Sequence, residues 1–257
     1  LYDKAKEIGG LLGMATFIKG TEVDDLPKLV DYYERQLKKL KVKINLGKEV
    51  TRDMVAAEKP DAVVVASGGK PTNPGIVTEG GAKVVTTEEL KAQAKGFVRL
   101  LGADTMSRLT KLVLPVGKNV VVVGSDMAGV EAAEFLVKRG KKVTIIDESP
   151  VPFTGMLLHW LVRLMPWFEA KGVAMYNGVK YGKVTPQGMS FTTAEGKEMT
   201  LPADTVMVVN RYAKNETLYN SLEGVAKERY LIGDAASDQS EYIKGAIHDG
   251  ARIALKI

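Results

Sequence analysis

Ten consecutive residues constrain this chain more than any others: Val120-Val121-Val122-Val123-Gly124-Ser125-Asp126-Met127-Ala128-Gly129. The valine run reads as a buried strand, and the glycines as a tight turn. A helical pattern then runs to Arg139, and a second strand at Val143–Ile146 ends in Asp147. Strand, glycine turn, helix and strand make a crossover unit, which belongs to a parallel sheet flanked by helices. Such a turn aims free N–H groups and the positive end of the helix dipole at a pyrophosphate. Asp147 lies 18 residues beyond Gly129, near the spacing of a carboxylate that accepts both ribose hydroxyls. An acid there repels a 2′-phosphate, so NADH is expected in preference to NADPH.

One position departs from the pattern. The middle glycine, which lets backbone approach the pyrophosphate, is Asp126. A carboxylate about 4 Å from a phosphate charge costs roughly 4 kcal/mol at an effective dielectric near 20, before screening. Even a third of that weakens binding about tenfold. Asp126→Gly is therefore expected to strengthen NADH binding by about tenfold or more. The competing reading is a dinucleotide fold that binds its dinucleotide poorly.

Elsewhere short β-rich runs alternate with helical patterns. Leu1-Tyr2 ends a strand, and a helix starts at Asp24-Asp25 with Leu26, Leu29, Val30, Tyr33 and Leu37 on one face. A strand at Val42–Leu46, a helix from Thr51 and a strand at Ala62–Ala66 follow. Thr86-Thr87-Glu88-Glu89 starts another helix. Residues 91–114 read as a domain crossing with an insertion. Beyond Asp147 come a helix over 157–171, strands near Ala174–Tyr176, Gly182–Val184, Met189–Thr192, Thr205–Val209 and Tyr230–Ile232, and a closing helix, Gly245–Ile257.

Two further segments gain meaning beside the first. Asp3 sits at a strand end six residues before Gly9-Gly10, placing an acid for an adenosine ribose and glycines for close passage of backbone. Tyr230-Leu231-Ile232-Gly233-Asp234 ends a strand in a carboxylate suited to a ribitol hydroxyl. The helix that follows, around Ala246, can face a flavin's electron-rich edge.

Composition excludes several classes. The 257 residues contain no cysteine, so disulfides, thiolate metal sites, iron–sulfur ligation within the chain and a redox Cys pair are all ruled out. A disulfide reductase of related fold is excluded on that ground, and a reducing, cytoplasmic setting fits. The net charge of +5 includes the run Lys38-Lys39-Leu40-Lys41-Val42-Lys43, which reads as a solvated helix end. No nucleic-acid motif accompanies it. No apolar run reaches the roughly 18 residues of a membrane span, and Leu1-Tyr2-Asp3-Lys4 lacks a signal-peptide layout. His159 reads as a core-edge or interface residue. Hydride transfer between nicotinamide and flavin depends on alignment, so no catalytic side chain is assigned.

Taken in order, acid-then-Gly9-Gly10, Ala66-Ser67-Gly68-Gly69 with Pro71, the Gly124 turn, and Ile232-Gly233-Asp234 with Ala246-Ile247-His248-Asp249-Gly250-Ala251-Arg252 span nearly the whole chain. This set resembles the C-terminal FAD- and NAD(P)-binding half of NADH:flavin oxidoreductases of the 2,4-dienoyl-CoA reductase and trimethylamine dehydrogenase group. The resemblance implies an α/β fold of two Rossmann-like domains with mostly parallel sheets. An NAD-type domain, 89–214, is inserted in a truncated FAD-type domain, 1–88 and 215–257.

It implies FAD held by Asp3, Gly9, Gly10, Ala66, Ser67, Gly68, Gly233, Asp234 and Ala246. It places NADH on Gly124, Ser125, Asp126, Ala128, Gly129 and Asp147. An upstream TIM-barrel domain of the same polypeptide, carrying FMN and an iron–sulfur cluster, is expected to receive the electrons. The departures are Asp126, the glycine-free Val208-Val209-Asn210-Arg211-Tyr212, and a first glycine fingerprint expected just before Leu1. This chain alone is therefore expected not to retain FAD, and to pair its strand edges with a second copy or lose stability. The rival reading is a non-catalytic nucleotide-binding or scaffolding module, whose NAD-type site holds an adenine nucleotide or nothing.

Overall fold

The valine run lies at the middle of a five-stranded, all-parallel sheet. The computed structural model describes residues 1–12, 25–90, 114–238 and 242–257. These residues form two units: 1–12, 25–72, 211–238 and 242–257 in the first, and 73–90 with 114–210 in the second.

The first unit opens with β1 (Tyr2–Asp3), α1 (Asp25–Lys39), β2 (Asn45–Leu46), α2 (Arg52–Glu58), β3 (Ala62–Val65) and β4 (Lys70–Thr72). Thr51 caps α2, its hydroxyl accepting from the Met54 N–H. Strand β2 is shorter than expected, because only Asn45 and Leu46 pair with β1.

The second unit contains β5 (Val77–Thr78), β6 (Lys83–Thr86), β7 (Asn119–Val123), α3 (Met127–Val137), β8 (Lys142–Asp147), α4 (Leu158–Ala170) and β9 (Ala174–Asn177). It continues with β10 (Lys180–Thr185), β11 (Gly188–Thr192), β12 (Glu198–Leu201) and β13 (Thr205–Val208). The parallel sheet has the order β6-β13-β7-β8-β9, and a second sheet has the order β12-β11-β10-β5.

Alternation along β7 explains how the layers assemble. Val120 and Val122 face a core with Val130, Ala133 and Leu136 of α3 and Phe168 of α4. Val121 and Val123 face Val184, Met189 and Phe191 of the smaller sheet. Helices therefore cover one face of the parallel sheet and a β-meander covers the other. Both faces are buried, which is why the strand reads as a continuous apolar run. Each such side chain contributes about 1.5–3 kcal/mol on leaving water.

The chain then returns to the first unit through β14 (Arg211–Ala213), α5 (Thr217–Ser221), β15 (Glu228–Leu231), a 3₁₀ turn at Gly233–Ala235, and α6 (Tyr242–Ala254). Strand β1 pairs in parallel with β2, β3 in parallel with β15, and β4 antiparallel with β14.

The expected domain limits at 88 and 215 require correction. Strand β6 pairs with β13 and buries Val85 in the second unit's core, while β5 pairs with β10. Strand β14 instead pairs with β4 of the first unit. The crossings lie at 72/73 and 210/211. Strand β12 was not anticipated, and the expected crossing segment at 91–114 lies, but for its last residue, outside the described residues. No described helix is long and apolar enough to cross a membrane.

Candidate dinucleotide sites

In the second unit the turn leaves β7 where the strand order reverses, between β7 and β13, which is where open α/β sheets bind ligands. Gly124 has a φ of 126°, and a Cβ there would stand 3.3 Å from Val209. At Gly129 a Cβ would stand 2.0 Å from the Gly124 carbonyl oxygen, so only glycine lets α3 start this close to the strand. Gly129 serves the packing of helix against turn, and Gly124 that of the turn against Val209 at the end of β13.

Asp126 does not stand as a loose charge before the turn. It is the N-cap of α3, and its Oδ1 accepts the Gly129 N–H at 3.0 Å. Asp147 is 1% exposed. Its Oδ2 accepts the Ser125 N–H at 2.6 Å and the Ser125 hydroxyl at 2.9 Å, and its Oδ1 accepts the Ser149 N–H at 2.8 Å. It faces inward in this structure. Asn177 donates to the Ser125 Oγ at 2.7 Å and to the Ser149 carbonyl at 3.1 Å, completing a polar network that sequence reasoning missed. Nothing in its spacing marks Asn177, because it arrives from β9 across the sheet.

The loop after β8 also lies on the turn. The Phe153 N–H donates to the Ser125 carbonyl at 2.7 Å, and the Met127 N–H donates to the Thr154 carbonyl at 2.9 Å. Asn210, in the glycine-free stretch after β13, bonds Thr87: the Thr87 hydroxyl donates to its Oδ1 and its own N–H donates to the Thr87 Oγ1. The turn's residue types fit a dinucleotide, but the N–H groups of Ser125, Met127 and Gly129 are already taken by this chain. In this conformation they do not fit a pyrophosphate.

The first unit presents a different picture. Strands β3 and β15 run in parallel with Val65 opposite Leu231, so Ala66–Gly68 and Ile232–Asp234 leave the same edge. A Cβ on Gly69 would stand 3.2 Å from the Asp234 carbonyl oxygen and 2.8 Å from the Tyr212 Cβ. The two turns are in direct contact. Asn215 ties them further, donating its side-chain amide to the Gly68 carbonyl and its N–H to the Ala235 carbonyl. Ala66 and Ser67 are exposed, and Gly68 has a φ of 76° with open space where a Cβ would project.

Gly233 has a φ of 63° and donates its N–H to the Asp249 Oδ2 at 2.9 Å, and Ala246 packs near its Cα. The Gly233 N–H, and then Arg252, hold the Asp249 carboxyl below its usual range. Asp249 was unassigned from sequence; its i, i+3 spacing to Arg252 was the available signal.

At the end of β1, Asp3 accepts the Ala5 N–H at 2.7 Å. Gly9 and Gly10 follow with φ of 106° and 54°, and open space surrounds the Cβ position of Gly10. Half-exposed acids at strand ends and left-handed glycines facing open space fit the sugar-like parts of a flavin dinucleotide. His159 and His248 are exposed. Among the described residues no cluster of side chains could hold a metal ion.

A family model described as pyridine nucleotide-disulphide oxidoreductase matches residues 4–240. An NADH oxidase of Thermoanaerobacter brockii is 26% identical over 100% of this chain and 37% of its own length. A bilirubin reductase of Mediterraneibacter gnavus is 26% identical over 97% of this chain and 35% of its own. The structure of a 2-naphthoyl-CoA reductase complex superposes with a TM-score of 0.78 at 25% identity, covering 100% of this chain and 36% of that one. The chain spans little more than a third of these relatives.

Proposed function

The chain belongs to the pyridine nucleotide-disulphide oxidoreductase family, and from that premise we propose that it is an electron-relay module. Membership makes it a flavin/NAD(P)-dependent oxidoreductase domain, though without cysteine it performs no disulfide chemistry of its own. In this proposal NADH is the electron source, FAD the carrier, and an upstream TIM-barrel domain with FMN and an iron–sulfur cluster the recipient. The relatives' reductase and oxidase names support redox work of this kind.

The observation that carries the flavin half is the joined pair of turns at the ends of β3 and β15. Ala66, Ser67 and Gly68 would pass along the cofactor, and Asp234 would bind its ribityl chain. Asp3 would bind the adenosine ribose beside Gly9 and Gly10. Bound FAD would accept a hydride and release electrons singly. The chain's own part is to bind and orient it. Asp249 holds the Gly233 N–H, and Asn215 holds the Gly68 carbonyl, so both turns keep their shape.

Flavin content of the protein expressed from its complete gene tests this. A hydrogen bond from a ribityl hydroxyl to a carboxylate is worth about 1.5–3 kcal/mol, so Asp234→Ala should weaken FAD binding by about tenfold or more. Asp126→Ala should leave it unchanged. Equal flavin affinity in wild type and Asp234→Ala overturns the assignment.

A second reading, a nucleotide-binding or scaffolding module without catalysis, is favoured by the internally bonded turn of the second unit. Anaerobic mixing with NADH separates the two. Bleaching of flavin absorbance near roughly 450 nm supports the relay, and its absence supports the scaffold.

A further inference from the structure

The turn after β7 differs from an open anion site in a definite way. Three of its N–H groups, those of Ser125, Met127 and Gly129, end on acceptors supplied by this chain, and those acceptors come from three places. Ser125 N–H ends on Asp147 at the tip of β8, Met127 N–H on the Thr154 carbonyl, and Gly129 N–H on the Asp126 carboxylate. The last two donors lie in the first turn of α3, where the dipole is positive and an anion gains most. A carboxylate and a carbonyl oxygen accept from these two donors.

The segment that brings Thr154 into place is a strap, residues 149–156, laid over the turn. Its hold is reciprocal, since Phe153 N–H donates back to the Ser125 carbonyl. Phe153 takes a left-handed φ of 64°, a conformation that strains a residue with a Cβ. Its ring packs against the core beneath α3 and α4, and Ser149 is tied to Asp147 and Asn177. A strained residue persists where surrounding contacts over-determine it, and here those contacts are the bonds to the turn.

We propose that Asp126 and the 149–156 strap act together as an intramolecular occupant of the pyrophosphate position. A dinucleotide then enters the second unit only when the strap lifts and Asp126 releases Gly129. Asp126 is thus the residue that sets affinity for the electron donor, by occupancy more than by repulsion. The proposal rests on reading the second unit as a dinucleotide-type site and adds its regulation.

Charge and occupancy are separable by substitution. Asn caps a helix as well as Asp does but carries no charge, whereas Gly removes the side chain and keeps the turn. Calorimetric titration of the purified protein with NADH, and with adenosine as a probe lacking pyrophosphate, gives the comparison. Asp126→Gly should bind NADH about tenfold more tightly than wild type, with adenosine unchanged. Asp126→Asn should stay within about threefold of wild type.

If Asp126→Asn gains as much as Asp126→Gly, simple repulsion is at work and occupancy is refuted. Equal gains for adenosine, or no gain in either variant, refute it as well. Amide exchange in the ligand-free wild type tests the occupant without any nucleotide. Met127 and Gly129 should be protected, and Gly129 should lose protection by about tenfold in Asp126→Gly. Fast exchange at both amides in wild type overturns the proposal even if NADH binds. Protected amides with no NADH binding by any variant instead refute the dinucleotide reading, and the proposal falls with it.

Discussion

In the second unit the three interior strands of the parallel sheet each have two partners, and both faces are covered. In the first unit β1 and β3 each have one strand partner among the described residues, and the sheets are pairs. Among the described residues, both buried hydrophobic clusters belong to the second unit. The first unit buries Leu12, Val65, Leu222, Ile232, Ala235 and Ile253 in scattered places. The turns differ in the same sense. Where both faces of the sheet are covered, the N–H groups of Ser125, Met127 and Gly129 in the glycine turn are bonded within the chain. Where it is paired only, the glycines at Gly10 and Gly68 face open space. Dense packing supplies internal acceptors to backbone donors, so the better-packed turn is the less available one.

The largest expected contrast is in hydrogen exchange. Amides of β7, β8 and β13 should exchange about a thousandfold or more slowly than those of β1 and β3, since local opening follows local burial. Equal protection would erase the contrast between the units. Core truncation should follow the same order. Leu136→Ala, at a fully buried position, should cost about 3 kcal/mol in chemical denaturation. Val64→Ala, at 43% exposure in β3, should cost under about 1 kcal/mol.

Glycine substitutions sharpen the point about turns. Gly129→Ala places a Cβ 2.0 Å from the Gly124 carbonyl oxygen and should cost about 2 kcal/mol or more as α3 shifts. Gly68→Ala meets no neighbour and should cost about 1–2 kcal/mol, from backbone strain alone. The melting temperatures of the two variants rank the effects.

The smallest effect concerns acid. Asp249's folded pKa is depressed, chiefly by the Gly233 N–H. Its contribution is therefore complete above the unfolded value of about 3.9 and is lost as pH falls through the lower folded value. Asp249→Asn should reduce the acid-side loss of stability in the first unit, read from melts at pH 6 and pH 3. An unchanged acid limb would remove Asp249 as the anchor of the Gly233 turn.

Much of the fold is legible from local pattern. Val120–Val123, Lys142–Asp147 and Thr205–Val208 are β-rich, apolar and bounded by turn residues, so each is recognised by itself. Thr86 and Glu89 form the reciprocal capping box that their spacing predicts. The unit boundaries were not legible, because Lys83–Thr86 and Arg211–Ala213 are short and choose partners more than 120 residues away. At the candidate sites the residue types were legible and their partners were not. Asp126 and Asp147 read as ligand-facing acids, yet each is within reach of a backbone N–H that only the closed turn presents.

By itself the sequence determined the class of the molecule: glycine turns after buried strands, acids at strand ends, and no cysteine for disulfide chemistry. Those are local features, dictated by backbone sterics and side-chain chemistry over a few residues. Tertiary structure alone decided which donors remain for a ligand. That depends on Thr154, Asn177 and Asp249 arriving from distant points of the chain to satisfy groups that cannot be buried unpaired.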